Sequence, residues 1–231
     1  INGARYYGVG NEYEGVTIAS AVFALAVLLN YKKISKWLAV VLSLVILITS
    51  AMPSMGANVG GAISECVAYL LFILLIFDVK LDLKKIIMIG VATVLIVVAF
   101  AGLDFLMGTE SHLAVFTNQI IQEGPAAIFN TFGRKIQMNL KLAKSSVWVN
   151  ILIVSIIIIG ALIFKPSGYF KKIHDKYPMI FKGFMASFVG CIVTLLVNDS
   201  GIVAASTAAI YILIPIIIIG INMIIFDKEI D

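Results

Sequence analysis

Residues Ile202 to Phe226 read IVAASTAAIYILIPIIIIGINMIIF, without one charged side chain. At 1.5 Å per residue a helix of this stretch is about 37 Å long, more than the ~30 Å hydrocarbon core of a bilayer. A surface helix of a soluble domain has one apolar stripe; this one is apolar all round. Working outward, six further runs share the character: Asn11–Asn30, Lys36–Met52, Gly61–Phe77, Ile86–Met107, Val147–Phe164 and Ile180–Val197. The pattern predicts an all-α, polytopic transmembrane helix bundle of about seven spans. It forms a single domain over residues 1–231, multi-pass in the cell membrane. Several runs have only 17 or 18 residues, so one of them can be re-entrant.

Composition agrees. The 231 residues are 61% hydrophobic and 13% charged, and mean hydropathy is +1.07. Charged residues stand at roughly half the ~25% share of an ordinary soluble domain. These values exclude disorder, a disulfide scaffold and a soluble globule. Cys66 and Cys191 both lie inside apolar runs, where thiols behave as small hydrophobes. The net charge of +4 does not point to nucleic acid, because the basic residues fall in short loops between apolar runs. That is the distribution of topology signals.

With the first loop, Tyr31–Lys36, on the cytoplasmic side, 12 basic residues fall inside and 5 outside. The N-terminus is then outside and the C-terminus inside. The unusual polar residues gather on the outer side. Three outward-starting helices carry an Asn, a Gly and a nearby carboxylate: Asn11/Glu12/Gly15, Asn58/Gly61/Glu65 and Asn198/Asp199/Gly201, the last with Ser200 between. Asp104 sits near the outer end of its span. Asn, Asp and Ser at such positions serve as helix caps or as ligand donors. Glu65 is different, because a carboxylate within an apolar run faces a cavity or a partner unless it snorkels to the interface. Gly61 and Tyr69 share its helical face.

About forty residues, Gly108 to Ser146, separate the fourth and fifth runs. From Pro125, Ile128, Phe132, Ile136 and Leu140 recur every four residues, with Arg134, Gln137, Lys141 and Lys144 opposite. This reads as an interfacial amphipathic helix with a basic stripe, followed by Trp148 at the interface belt. His112 in the same loop and His174 on the inner side read as solvated. Arg5 is a candidate clamp for an anionic head group, or an ion-pair partner of Glu12, Glu14 or Asp199.

Arg5-Tyr6-Tyr7-Gly8-Val9-Gly10-Asn11-Glu12-Tyr13 and Asn198-Asp199-Ser200-Gly201 resemble motifs of a sparsely characterised bacterial polytopic domain. Gly133-Arg134-Lys135, Met138-Asn139 and Ser146-Val147-Trp148 fit the same likeness. That domain forms the membrane part of large cell-envelope proteins, some with an extracytoplasmic alkaline-phosphatase-like domain ahead of it. The resemblance therefore implies that this chain is a segment of a longer protein, as its start at Ile1 also indicates. Arg5, Gly8, Gly10 and Asn11 are more faintly similar to a motif of O-antigen ligases and polymerases, although Glu12-Tyr13 stands where that family has Pro-Asn.

The expected function is an envelope-assembly membrane module with an outward polar site for a lipid-linked or phosphate-bearing glycan substrate. Glu12, Glu65 and Asp199 are its candidate catalytic carboxylates. Arg5, Asn11, Asn58, Asn198, Ser200, Arg134, Lys135 and Lys141 are its candidate substrate-binding residues. The sequence names no cofactor and no metal-ligating set. Partners are the lipid bilayer, an anionic lipid-linked substrate and an extracytoplasmic domain of the same chain. The competing readings are a transporter or flippase, and a non-catalytic anchor or scaffold.

Overall fold

The computed structural model describes residues 8–52, 54–107, 122, 124, 126–166 and 168–226. Among them there are nine helices and no strand. They are α1 (Asn11–Asn30), α2 (Lys36–Ala51), α3 (Val59–Ile76), α4 (Leu83–Met107), α5 (Ala126–Ser145), α6 (Trp148–Phe164), α7 (Tyr169–Lys176), α8 (Pro178–Val197) and α9 (Gly201–Phe226). Each of the seven apolar runs is a helix, with ends within three residues of the sequence reading. α1, α4, α8 and α9 are long and apolar enough to cross a membrane. α5 and α6 make a fifth candidate if counted as one broken span, bent by 100°. α2 and α3 are shorter apolar helices.

The centre of the bundle is α1, which packs along α8 and α9, while α8 also packs along α3. α2 and α4 flank α3, and α6 flanks α9. Two apolar clusters fill the seams. Ile18, Val22, Leu25, Phe72 and Ile76 lead one, on α1 and α3. Ile159, Phe184, Ile212 and Ile216 lead the other, on α6, α8 and α9. The close approach of α1 to its neighbours requires glycine. A Cβ on Gly15 would strike the Ala204 carbonyl and the Thr207 hydroxyl of α9, and one on Gly190 would strike Ala68 and Ile18.

The amphipathic periodicity from residue 125 is realised as α5. At about 100° per residue its surface divides into three sectors. Phe129, Phe132, Ile136 and Leu140 form an exposed apolar stripe, and Arg134, Gln137, Lys141 and Lys144 an exposed polar one. Lys135, Asn139 and Leu142 are half-buried against the bundle. The basic connection after α6 holds a helix that hydropathy does not announce, α7, tied in by buried Ile173. Pro178 then occupies the first turn of α8, where its missing N–H costs nothing.

The starts of α1, α3 and α9 and the ends of α2 and α8 lie together, and this polar end carries the site. At the opposite end Asp78, with φ of 58°, receives Lys182 and Lys36. The Lys36 ammonium also lies 5.5 Å over the Phe77 ring. Hydrogen bonding from Lys182 foremost, with Lys36, holds the Asp78 carboxyl below the usual carboxylate range.

Candidate functional site

The polar end is organised around Glu14, a residue that cap-by-cap reading of the sequence passes over. Glu14 lies on the face of α1 that also carries Ile18, Val22, Leu25 and Leu29, and all five are buried. Its carboxylate accepts from Asn198 Nδ2 at 2.7 Å to each oxygen. Asn58 Nδ2 donates at 3.0 Å and Thr194 Oγ1 at 3.2 Å. One side chain of α1 thus joins the start of α3 to the end of α8. Asn58 does a second task, because its Oδ1 accepts from Gly61 N at 2.9 Å and caps α3. Bare glycines let these groups meet. A Cβ on Gly60 would collide with the Asn198 amide, and one on Gly61 with Asn58.

Glu65 lies deeper and is fully buried. It does not snorkel to the interface. Its Oε1 accepts from Ser50 Oγ of α2 at 2.8 Å. Ser50 also lines a groove of about 340 Å³ between α1, α2 and the 54–57 turn, together with Val9, Thr17, Thr49 and Gly56.

α5 is hooked to the same end. Asn139 Nδ2 donates to the carbonyls of Asn198 (2.9 Å) and Leu195 (3.4 Å), while its Oδ1 accepts from Ile202 N at 3.1 Å. Asn139 therefore serves backbone groups that a helix end and a helix start both leave open. Lys135 Nζ donates to the Val197 carbonyl and stands 3.9 Å from Asp199.

The remaining candidates separate. Glu12 is exposed, and its backbone carbonyl accepts from Thr207 Oγ1 at 3.1 Å. Asn11 is half-buried and does not cap, because Gly10 holds the capping position of α1. Asp199 is exposed, as are Arg134 and Lys141. The Ser200 carbonyl accepts from the amides of Val203 and Ala204. Arg5 and His112 lie outside the described residues, as does the Asp104 side chain. The structure brings Asn58, Asn198 and, through α5, Lys135 into one assembly with Glu14. Glu12 and Asp199 stand at its surface and Glu65 stands below it. Cys66 and Cys191 are buried and unpaired with each other. Among the described residues, no group of three or more His, Cys, Asp or Glu side chains is placed to hold a metal ion.

The signal for Glu14 was available in the four-residue spacing to Ile18 and Val22. Thr194 and Asn139 carry no comparable local mark. Comparison with family models, with curated proteins and with solved structures returns no match for this chain.

Proposed function

We propose that this chain is an integral membrane module of cell-envelope assembly whose outer end engages a lipid-linked, phosphate-bearing substrate. In this reading all seven apolar helices cross the membrane, and the lysine-rich loops hold the C-terminus inside. α2 and α3 are short for a ~30 Å core, a mismatch that local thinning of the bilayer accommodates at small cost.

The observation that carries the reading is the attachment of α5. It runs at 100° to α6, so it lies along the membrane surface if α6 crosses. Its Phe129–Leu140 stripe then enters the acyl region while Arg134, Lys141 and Lys144 face the phosphate layer. Lys135 and Asn139 fasten this basic stripe to the turn that carries Asn198. A phosphate held by Arg134 and Lys141 would sit beside the Glu14 node. Arginine favours this role because its planar fork binds phosphate through two parallel hydrogen bonds. Arg5 is a further clamp in the same reading. Exposed Glu12 and Asp199 are the carboxylates available for acid–base work. Glu65 is sealed away from any head group.

Native mass spectrometry of the purified chain with a polyprenyl phosphate and the matching neutral polyprenol tests this. Selective retention of the phosphate is expected, weakened about tenfold or more when Arg134→Gln and Lys141→Gln are combined, as loss of charge-assisted hydrogen bonds requires. Equal retention of both lipids would overturn it.

A further inference from the structure

The short helix α7 is amphipathic, and the protein itself covers its apolar face. At about 100° per residue, Phe170 and Ile173 fall on one side, with His174 beside them. Ile173 is buried and Phe170 half-buried. The Phe170 ring lies against Gly220 of α9, where a Cβ would stand 3.3 Å from it. His174 meets the Phe181 ring of α8 edge-on at 4.9 Å. The other side of α7 carries Lys171, Lys172, Asp175 and Lys176, all exposed. An amphipathic helix that inserts into lipid turns its apolar side chains to the acyl layer. In α7 those side chains are taken up by α8 and α9, so the helix offers its surroundings a basic face on a fixed support.

The contact with Gly220 also sets the level of that face. Gly220 comes six residues before Phe226, the last residue of α9, a rise of about 9 Å. α7 therefore lies beside the final turns of α9 and not beyond them. Around the same turns Ile218, Ile221 and Ile225 are exposed, as lipid-facing side chains are where a helix crosses a bilayer. The lysines of α7 point away from the bundle at the level where acyl chains give way to head groups. Their long stems let the ammonium groups reach the phosphate layer. The face carries three positive charges against one negative, and Asp175 is itself met by His174 Nδ1 at 2.9 Å. The Lys176 ammonium lies 5.8 Å over the Tyr177 ring, a contact that leaves its charge in place.

We propose that the Lys171, Lys172 and Lys176 face of α7 binds the head groups of anionic phospholipid in the leaflet around it. A zwitterionic head group brings a compensating ammonium, so a cluster of lysines favours lipids of net negative charge. A macromolecule dissolved in water would meet the end of the bundle, whereas these lysines stand on its flank. The inference rests on α9 crossing a bilayer. It is independent of the head-group site at α5, because α8 starts beside α7 and ends at the Glu14 node.

The test is native mass spectrometry of the purified chain with phosphatidylglycerol and phosphatidylcholine of identical acyl chains. Phosphatidylglycerol is expected to be retained about tenfold or more over phosphatidylcholine, as three lysines near a lipid surface allow. Combined Lys171→Gln, Lys172→Gln and Lys176→Gln should bring the two lipids close to parity. Lys171→Arg, Lys172→Arg and Lys176→Arg together should keep the preference, since the charge remains. The preference should also survive Arg134→Gln with Lys141→Gln, which disables the α5 surface, and the combination Lys32→Gln, Lys33→Gln and Lys80→Gln, which removes the same charge elsewhere. Equal retention of both lipids by the unaltered chain would overturn the proposal and leave these lysines as topology signals alone. A preference that outlasts the α7 glutamines, or one lost equally with Lys32, Lys33 and Lys80, would overturn it too. Should the α7 glutamine variant fail to fold, the arginine variant decides, and loss of the preference there counts against the site.

Discussion

Glu12 and Glu14 are two residues apart and have opposite fates. The helix turns about 200° between them, so Glu12 meets solvent while Glu14 enters the seam between α3, α8 and α9. Removing the Glu14 side chain would leave the amides of Asn58 and Asn198 buried without an acceptor. Glu14→Ala is therefore expected to cost ~3–5 kcal/mol, the usual result of breaking a buried charged network. Glu12→Ala should stay within ~0.5 kcal/mol, as exposed substitutions do. Equilibrium unfolding in detergent measures both, and similar losses would show that the Glu14 node adds nothing to stability. At the far end of the bundle, Asp78 supplies an acid-sensitive contact. Its carboxyl is held below its ordinary value by Lys182 and Lys36, so its stabilisation is present above the unfolded-state pKa of ~3.9 and is lost as pH falls through the lower folded value. Asp78→Asn should flatten the unfolding midpoint against pH below about pH 4, with little change near neutrality.

At the scale of elements, α5 is a helix fastened to the bundle by few side chains. Lys135 and Asn139 make its polar ties to the rest of the bundle. Asn139→Ala should loosen α5 from the α8–α9 turn, with Lys135 its remaining polar tie, while leaving the helix bundle folded. Hydrogen exchange across Ala126–Ser145 is expected to accelerate about tenfold or more, for a loss of ~1–2 kcal/mol of local stability. Unchanged exchange would mean that Lys135 and the apolar contacts of Leu142 and Ala127 suffice to hold it. The helices themselves were readable from the sequence because apolar length and four-residue periodicity are local properties. The site was readable only in part. Asn58 and Asn198 stood out beside glycines at helix starts, but Glu14 lies 44 residues from the first and 184 from the second. No periodicity within α1 reports partners at such distances. The cap reading of Asn11 failed for a similar reason: Gly10, with extended backbone, already occupies the capping position of α1.

Over the described residues of the seven apolar helices, charged side chains lie towards the helix ends, while the middle holds buried hydroxyls such as Ser43, Thr93, Ser155 and Ser187 and is packed by Ile18, Val22, Phe72, Phe184 and Ile212. The sidedness itself is open to direct measurement, because Cys66 and Cys191 are both buried and should give little background with a membrane-impermeant maleimide. In intact cells, Ser54→Cys is expected to label from outside and Lys80→Cys only after permeabilisation. Labelling of both positions from the same side would rule out α3 as a crossing helix.

The Glu14 contacts also set a timetable for biogenesis. Glu14 leaves the ribosome 180 and 184 residues ahead of Thr194 and Asn198. At ~5–20 residues per second, the carboxylate waits roughly 10–40 s for those partners. During that interval the first helix carries an acid into or beside the bilayer with at most Asn58 to receive it. The last hairpin, α8 with α9, acts as the keystone that closes the bundle around the first helix. Chains halted before Asn198 should therefore be cleared faster in a pulse–chase than chains halted just after α9, although the shorter chains already contain six of the seven apolar helices.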